Sequence, residues 1–121
     1  MPQSSSSVTD LIWAGLKAEG LRQQAIASNI ANIETPGYRR VDVKFEELLA
    51  KAMDSSGDVD LDKIEPEIYR PGNTAVKSNG NDVELDAEVG EMVKNSLRQT
   101  AYIRLLRKKA VQIEAAINVR G

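Results

Sequence analysis

The chain lacks both cysteine and histidine. The absence of cysteine excludes disulfides, thiol nucleophiles and zinc sites with sulfur ligands. The absence of histidine excludes His-based triads and the common zinc constellations. Only carboxylates, lysine, tyrosine and hydroxyl groups remain for chemistry, and no pair of acidic residues has a spacing that supports a hydrolase. We therefore expect no catalytic residue, no metal site, no cofactor and no enzymatic activity.

Aromatic residues and an excess of one charge are also missing. Aromatics make up 4% of the 121 residues, while 41% are hydrophobic, so the core must be built from aliphatic side chains. The net charge is −2, with acidic and basic residues interspersed, which is unlike the basic surface of a nucleic-acid-binding domain. We expect one small domain with no nucleic-acid partner.

The N-terminal region has no long hydrophobic run. Residues 1–7 are polar and carry no basic group, and the apolar positions that follow are interrupted by Asp10, Lys17 and Glu19. This pattern is typical of neither a cleaved signal peptide nor a membrane span. We expect residues 1–7 to form a disordered polar tail, and we expect no direct membrane span.

A first long helix is predicted to begin between Ser7 and Asp10, which have the spacing of a capping box, and to run to about Ile33, because two apolar stripes follow. The stripes consist of Leu11, Ala14, Ala18, Leu21 and Ala25, and of Ile12, Leu16, Ile26, Ile30 and Ile33.

The exit from this helix is the most explicit local signal. Proline disfavours helical geometry for the preceding Thr35, and Pro36-Gly37 supplies the backbone angles that a type II turn requires. Asn29 and Asn32 are poor residues for a helix interior, so we expect them to cap the helix or to contact a neighbouring helix. From the residue types alone, an ordinary helix stop is the simpler interpretation.

A second long helix is predicted after Asn81 and Glu84, which have N-cap spacing, and it continues almost to the end of the chain. Its apolar residues recur at alternating steps of four and three, and only Ser96 and Gln99 interrupt them. This seam contains Leu85, Val89, Met92, Ile103, Leu106, Ala110, Ile113 and Ile117. The overlapping apolar positions, which require a second helical partner, are Val93, Leu97, Ala101 and Leu105.

The segment between the helices is predicted to be largely irregular. Residues 41–53 suggest a short extended piece followed by a short helix, and residues 54–80 are polar and turn-rich, with room for one small hairpin. Acids alternate over residues 58–62 as at the start of an EF-hand, but Lys63 and Tyr69 occupy the required glycine and glutamate positions. We therefore favour a solvated acidic loop.

The basic cluster within residues 104–109 has two interpretations. The simpler one is a solvent face that complements the negative end of the helix, and the other is a site for an anionic partner. We favour the first.

Energetics favour a subunit that assembles. Ordering a residue costs about 1–2 kcal/mol, and burying apolar surface contributes about 25 cal/mol of stabilisation per Å². The folding free energy of a lone two-helix hairpin is therefore expected to be close to zero. Two long helices with more apolar surface than one hairpin buries are typical of a protein that packs against copies of itself or relatives.

Residues 27–38, with the sequence Ala-Ser-Asn-Ile-Ala-Asn-Ile-Glu-Thr-Pro-Gly-Tyr, resemble the N-terminal signature of bacterial flagellar axial proteins, the rod and hook family. Within that family, residues 41–45, residues 79–85, and residues 95–98 with 105–109 are similar to the proximal rod proteins of the basal body. The resemblance covers both helical ends and is weak over residues 54–77.

The resemblance implies an all-α fold, in which residues 8–34 and 82–119 pair as an inner coiled-coil hairpin and residues 35–81 form a loop-rich excursion that contacts neighbouring subunits. It implies a non-enzymatic structural subunit of the flagellar rod, the drive shaft, exported by the flagellar type III apparatus without a cleaved signal. The implied partners are copies of the chain itself, other rod proteins, and the basal adaptor protein that joins the rod to the membrane ring.

The resemblance also implies two sets of functional residues. The implied assembly motif is Asn29, Ile30, Asn32, Thr35, Pro36, Gly37 and Tyr38. The implied helix seam is Ile26, Leu85, Val89, Met92, Ile103, Leu106, Ala110, Ile113 and Ile117.

Two alternatives stay open at this point. A sibling rod subunit would share the same heptads and differ in its place in the assembly. A small coiled-coil adaptor or export chaperone would also share them, but it would form a stable closed oligomer instead of polymerising.

Overall fold

Two long helices form the frame of the molecule. The structure is a computed structural model that describes residues 5–54 and 64–120. Its elements, in chain order, are helix α1 (Ser5–Ala31), strand β1 (Asp42–Lys44), helix α2 (Glu46–Asp54), strand β2 (Glu67–Tyr69) and helix α3 (Leu85–Arg120). The most extensive contact between elements joins α1 to α3. The predicted hairpin of long terminal helices with a short middle is confirmed.

The two long helices run antiparallel. Asn29, near the end of α1, hydrogen-bonds to Glu88, near the start of α3, and Gly15 lies against Tyr102 about four turns farther along each helix. If this register continues, the start of α1 at Ser5 lies level with roughly Gln112, since both helices rise about 1.5 Å per residue. The last turns of α3 therefore extend past the first described residue of α1, and residues 110–119 are all exposed.

The middle segment forms a small cap on the hairpin. Strands β1 and β2 pair antiparallel, with Val43 opposite Ile68, and β1 packs against α1. The predicted extended piece and short helix are confirmed as β1 and α2. Strand β2 pairs with β1, which lies before residues 54–80. The small hairpin predicted within residues 54–80 is therefore not present in the described part of that segment.

Two predicted local features differ from the structure or lie outside it. Helix α1 begins at Ser5, so Ser7 lies inside the helix and not at its N-cap. Residues 58–62, with the alternating acids, lie outside the described residues, as do residues 1–4 of the predicted polar tail.

The interior is unusually polar for so small a molecule. The buried hydrophobic residues are few and mostly small, and six buried polar residues lie among them. The first group is Ile12, Ala18, Ala25, Ile26, Val43, Phe45 and Val83, and the second is Glu19, Asn29, Asn81, Asp82, Glu88 and Asn95. The buried face of α1 draws residues from both predicted apolar stripes and adds Glu19 between them.

Among the described residues, every helix is too short or too polar to cross a membrane.

Candidate functional site

The turn after α1 has the geometry that its sequence predicts. The N–H of Tyr38 donates to the carbonyl of Thr35 at 3.2 Å, and Gly37 has a φ of 76°. A proline at the second position followed by a residue with positive φ at the third position is typical of a type II turn, and glycine adopts that angle without strain. The predicted turn at Pro36-Gly37 is therefore confirmed, and its tip, from Thr35 to Gly37, is exposed.

A second tight turn lies against the first one. The N–H of Gly37 donates to the carbonyl of Asn79 at 2.9 Å. A Cβ on Gly80 would lie 3.2 Å from the Cα of Gly37, and Gly80 itself has a φ of 85°. The two glycines therefore let the backbone after α1 and the backbone before α3 approach closely.

The side-chain amide of Asn29 connects α1 to α3 and to the segment after the turn, and it uses all of its hydrogen-bonding positions. Its Nδ2 donates to the carbonyl of Val41 at 2.9 Å and to Oε1 of Glu88 at 2.7 Å. Its Oδ1 accepts from the N–H of Val41 at 2.9 Å and from the hydroxyl of Tyr38 at 3.0 Å. The side chain is fully buried, so each of these bonds replaces one to water. Asn29 thus makes the predicted contact with a neighbouring helix.

Asn32 and Asn81 satisfy the carbonyls at the end of α1. Nδ2 of Asn32 donates to the carbonyl of Ser28 at 2.8 Å, which is the predicted capping role. Nδ2 of Asn81 donates to the carbonyls of Asn32 and Thr35, both at 2.9 Å, while its Oδ1 accepts from the N–H of Val83. One buried asparagine therefore closes the C-terminal end of α1 and fixes the entry to α3.

Two arginines after the turn bind two buried carboxylates, one just before α3 and one in its first turn. The N–H of Arg40 donates to Asp82 at 2.6 Å, and Nε of Arg39 lies 3.1 Å from the same carboxylate. Desolvation raises the pKa of Asp82, but the Arg40 N–H and the Arg39 guanidinium outweigh it, so the net pKa lies below the ordinary value. Arg40 also donates to Glu88 at 3.3 Å. These ion pairs hold the excursion against α3.

Glu19 is the centre of a second polar cluster, halfway along the hairpin. Its fully buried carboxylate accepts from Asn95 at 3.1 Å and from Nε of Arg98 at 2.9 Å. Arg22 donates to the same carboxylate and also to Glu46 of α2. Arg22 is desolvated, but its bonds to Glu46 and Glu19 raise its pKa, and the bond from Arg22 lowers the pKa of Glu46. The cluster therefore joins α1, α2 and α3.

The apolar pattern of the sequence did not predict the buried carboxylates or the inward amide of α3. Glu19 stands in the sequence as an interruption of the apolar positions of the first helix, and the apolar residues of α3 indicate a different face from the one that contacts α1. The signal that could have found the inner face is a second heptad, because Asn81, Glu88, Asn95 and Tyr102 follow one another at steps of seven. All four contact α1 or the turn that follows it.

The predicted seam of α3 lies mostly on the outside of the hairpin. Ile26 of α1 is buried within the chain, and Leu106 is half-buried. The other seam residues are exposed, and these are Leu85, Val89, Met92, Ile103, Ala110, Ile113 and Ile117. The overlapping positions Val93, Leu97, Ala101 and Leu105 are exposed as well.

The residues of the assembly motif lie together at the C-terminal end of α1 and in the turn that follows. Asn29 is buried, Ile30, Asn32 and Tyr38 are half-buried, and the turn tip is exposed.

Comparisons with known proteins give one consistent family. The family model described as "Flagella basal body rod protein" matches residues 14–39, which cover the last two thirds of α1 and the type II turn. The chain is similar to the flagellar basal body rod protein FlgB of Borreliella burgdorferi, with 32% identity over 64% of this chain and 70% of the relative. It is also similar to FlgB of Cereibacter sphaeroides, with 31% identity over 79% of this chain and 82% of the relative. For FlgB of Bacillus subtilis, the identity is 28% over 78% of this chain and 80% of the relative.

Proposed function

Because the chain belongs to the family of flagellar basal body rod proteins named FlgB, we propose that it is a structural subunit of the proximal rod that assembles through the outer face of α3. The members of this family are components of the flagellar rod, and the family is not a family of enzymes.

The observation that carries the proposal is the inverted distribution of polarity. Within the hairpin, carboxylates and amides are buried and paired, while a long apolar seam faces outward. Ile103 is 41% exposed, Ile113 47% and Ile117 63%, all on one helix at heptad spacing. Exposed apolar surface of this extent is typical of an interaction face. We propose that neighbouring subunits cover it and build the wall of a tube.

The polar clusters have a complementary role in this proposal. Buried polar groups specify register because only one alignment of the helices satisfies them all. The bonds of Glu19 and Asn29 therefore fix α1 against α3 before assembly, so each subunit presents the same seam. The exposed tip at Pro36-Gly37 is held by the hydrogen bond from Gly37 to Asn79 and by the bond from Asn81 to Thr35, and we propose that the tip contacts an adjacent subunit.

The mechanism is mechanical. Torque on the rod would be shared by many parallel helix contacts, since closely packed side chains have low compressibility and transmit strain. The proposed neighbours are copies of the chain, other rod proteins, and the basal adaptor that links the rod to the membrane ring. We also propose delivery to the periplasm-spanning rod by the flagellar type III apparatus without cleavage of a signal peptide.

A single substitution on the seam tests the proposal. In cells whose own copy of the protein is replaced, Ile103→Asp should abolish rod completion and swimming, because assembly would bury an unpaired carboxylate at a cost of several kcal/mol. The matched control is Gln112→Asp, which adds the same charge at an exposed position of α3 off the seam. Complete basal bodies and normal swimming in the Ile103→Asp strain would refute assembly through this face.

A further inference from the structure

The turn that leads into α3 contains the one Asn-Gly dipeptide of the sequence, Asn79-Gly80. The side-chain amide of an asparagine can react with the backbone nitrogen of the next residue. Glycine permits this reaction most readily, because it has no Cβ and adopts a wide range of backbone angles. Asn79 is exposed, as are Lys77 and Ser78 before it, so solvent reaches the amide that would react.

The reaction is an intramolecular deamidation. The nitrogen of Gly80 gives up its proton to solvent and attacks Cγ of Asn79. A C–N bond forms, and Nδ2 takes up a proton and leaves as ammonia. Water then opens the five-membered imide at one of its two C–N bonds. Cleavage of the new bond to Cγ gives aspartate, whereas cleavage of the original peptide bond gives isoaspartate, in which the main chain runs through Cγ. Either product carries one additional negative charge.

Hydrogen bonds hold the reacting groups apart in the folded chain. The N–H of Gly80, whose proton must leave, donates to the carbonyl of Lys77 at 2.9 Å. Oδ1 of Asn79 accepts from the N–H of Asn81 at 3.1 Å. The carbonyl of Asn79 accepts from the N–H of Gly37 at 2.9 Å, which fixes the peptide between Asn79 and Gly80 against the turn after α1. The attack therefore requires several of these bonds to break together.

The close approach of two glycines adds to this constraint. A Cβ on Gly80 would lie 3.2 Å from the Cα of Gly37, and Gly80 has a φ of 85°. Rotation of the Gly80 nitrogen toward the side chain of Asn79 would disturb this contact between the two turns. Exposure of Asn79 and constraint of its backbone thus have opposite consequences, because exposure favours fast deamidation and constraint favours slow deamidation.

We propose that Asn79 is a deamidation site that the fold protects, so that it reacts only while the turn at residues 77–81 is open. The isoaspartate product has one more main-chain atom between the bond that Gly37 donates and the bond that Gly80 donates. The two bonds then no longer fit the same spacing, and the modified chain closes this turn less stably. The extent of the modification records how long a molecule has spent with the turn open.

Mass spectrometry of the full chain tests the proposal. The purified chain is incubated at mildly alkaline pH in buffer or in denaturing urea, and circular dichroism checks that it is folded in the first and unfolded in the second. The peptide with Asn79 should convert at least about tenfold more slowly in buffer, because open molecules are a minority of the folded ensemble. Asn73, which is exposed and followed by threonine, is the internal control and should convert slowly in both.

Two variants separate the sequence, the charge and the main chain. In urea, where folding has no influence, Gly80→Ala should slow the conversion of residue 79, because a Cβ hinders the attacking nitrogen. Asn79→Asp adds the charge of the product without the extra main-chain atom, and it keeps an acceptor for the N–H of Asn81. Its urea midpoint should therefore stay close to that of the unmodified chain. The deamidated chain, isolated by ion exchange and refolded, should have a lower midpoint than both.

Three results would overturn the proposal. Equal conversion of Asn79 in buffer and in urea would show that the fold gives no protection, and faster conversion in buffer would show that the fold promotes the attack. Conversion of Asn73 ahead of Asn79 in urea would remove the assigned site. A deamidated chain that is as stable as the Asn79→Asp variant would contradict the effect on turn closure.

Discussion

At the scale of single residues, the hairpin depends on positions that accept only one type of residue. The amide of Asn29 is buried with two donors and two acceptors satisfied, and no other side chain offers that combination in the same volume. Gly15 is required for a different reason, because the ring of Tyr102 occupies the place where a Cβ would lie.

Asn29→Asp should strongly destabilise the folded chain. The substitution replaces the donor facing Glu88 by a carboxylate oxygen, so two buried carboxylates would confront each other. Loss of a buried, charge-assisted hydrogen bond together with this repulsion should lower the free energy of unfolding by about 3 kcal/mol or more at pH 7. Urea denaturation measures the change, and Asn118→Asp, at an exposed site on α3, should change it by less than about 0.5 kcal/mol. Equal effects of the two substitutions would contradict the assignment of Asn29.

Gly15→Ala should destabilise the contact between the long helices. A Cβ at this position would lie 2.3 Å from the Tyr102 ring, so the ring must move, and overpacking of this kind costs about 1–3 kcal/mol. Gly20→Ala is the control, since a Cβ there meets nothing within 4 Å and alanine favours the helix by up to about 1 kcal/mol. Thermal unfolding should therefore shift in opposite directions for the two variants. Stabilisation by Gly15→Ala would show that Tyr102 does not pack on this glycine.

At the scale of elements, the local signals in the sequence predicted more than the tertiary contacts. The type II turn at Pro36-Gly37, both long helices and the short helix after residue 45 follow from proline, glycine and apolar periodicity, and all are present. The partners of Glu19 and Asn95 could not be found in the same way, because apolar periodicity identifies an apolar face without indicating whether the chain itself or a neighbour covers it. In α3 the apolar heptad faces outward and a polar heptad faces α1.

The contacts of the excursion with α1 and with the entry to α3 should be sensitive to acid. The pKa of Asp82 and the pKa of Glu46 are lower in the folded chain than their ordinary values. A carboxyl with a lowered folded-state pKa contributes stability above its unfolded pKa and loses it as the pH falls through the folded value. The free energy of unfolding should therefore decrease as the pH falls below about 4.

Urea denaturation between pH 7 and pH 3 measures this dependence. Asp82→Asn should reduce both the stability at pH 7 and the loss of stability on acidification, because it removes one of the linked carboxyls. Asp86→Asn, at an exposed position on the same helix, should leave the slope unchanged. Stability that stays constant or rises as the pH falls would contradict the role of these ion pairs.

At the scale of the whole molecule, the buried polar groups fix the hairpin of the chain itself, and most of its apolar groups are exposed on α3, where we propose that neighbouring subunits cover them. This division explains how a chain with 41% hydrophobic residues buries only seven of them among the described residues. It also fits the membership in the flagellar rod family, since a rod subunit must have one defined shape and several faces for contact. The central claim is that the seam of α3 is exposed in the free subunit and covered in the rod.

The absence of cysteine makes that claim directly measurable. Ile113→Cys places a single thiol on the seam, at a residue that is 47% exposed in the free chain. The rate of maleimide labelling is compared between the purified subunit, isolated basal bodies and the same basal bodies dissociated in denaturant. We expect fast labelling of the free and the dissociated subunit, and labelling slower by at least about tenfold in the intact basal body, because packed interfaces exclude water and reagent. Equal labelling rates in the free subunit and the intact basal body would contradict assembly through this seam.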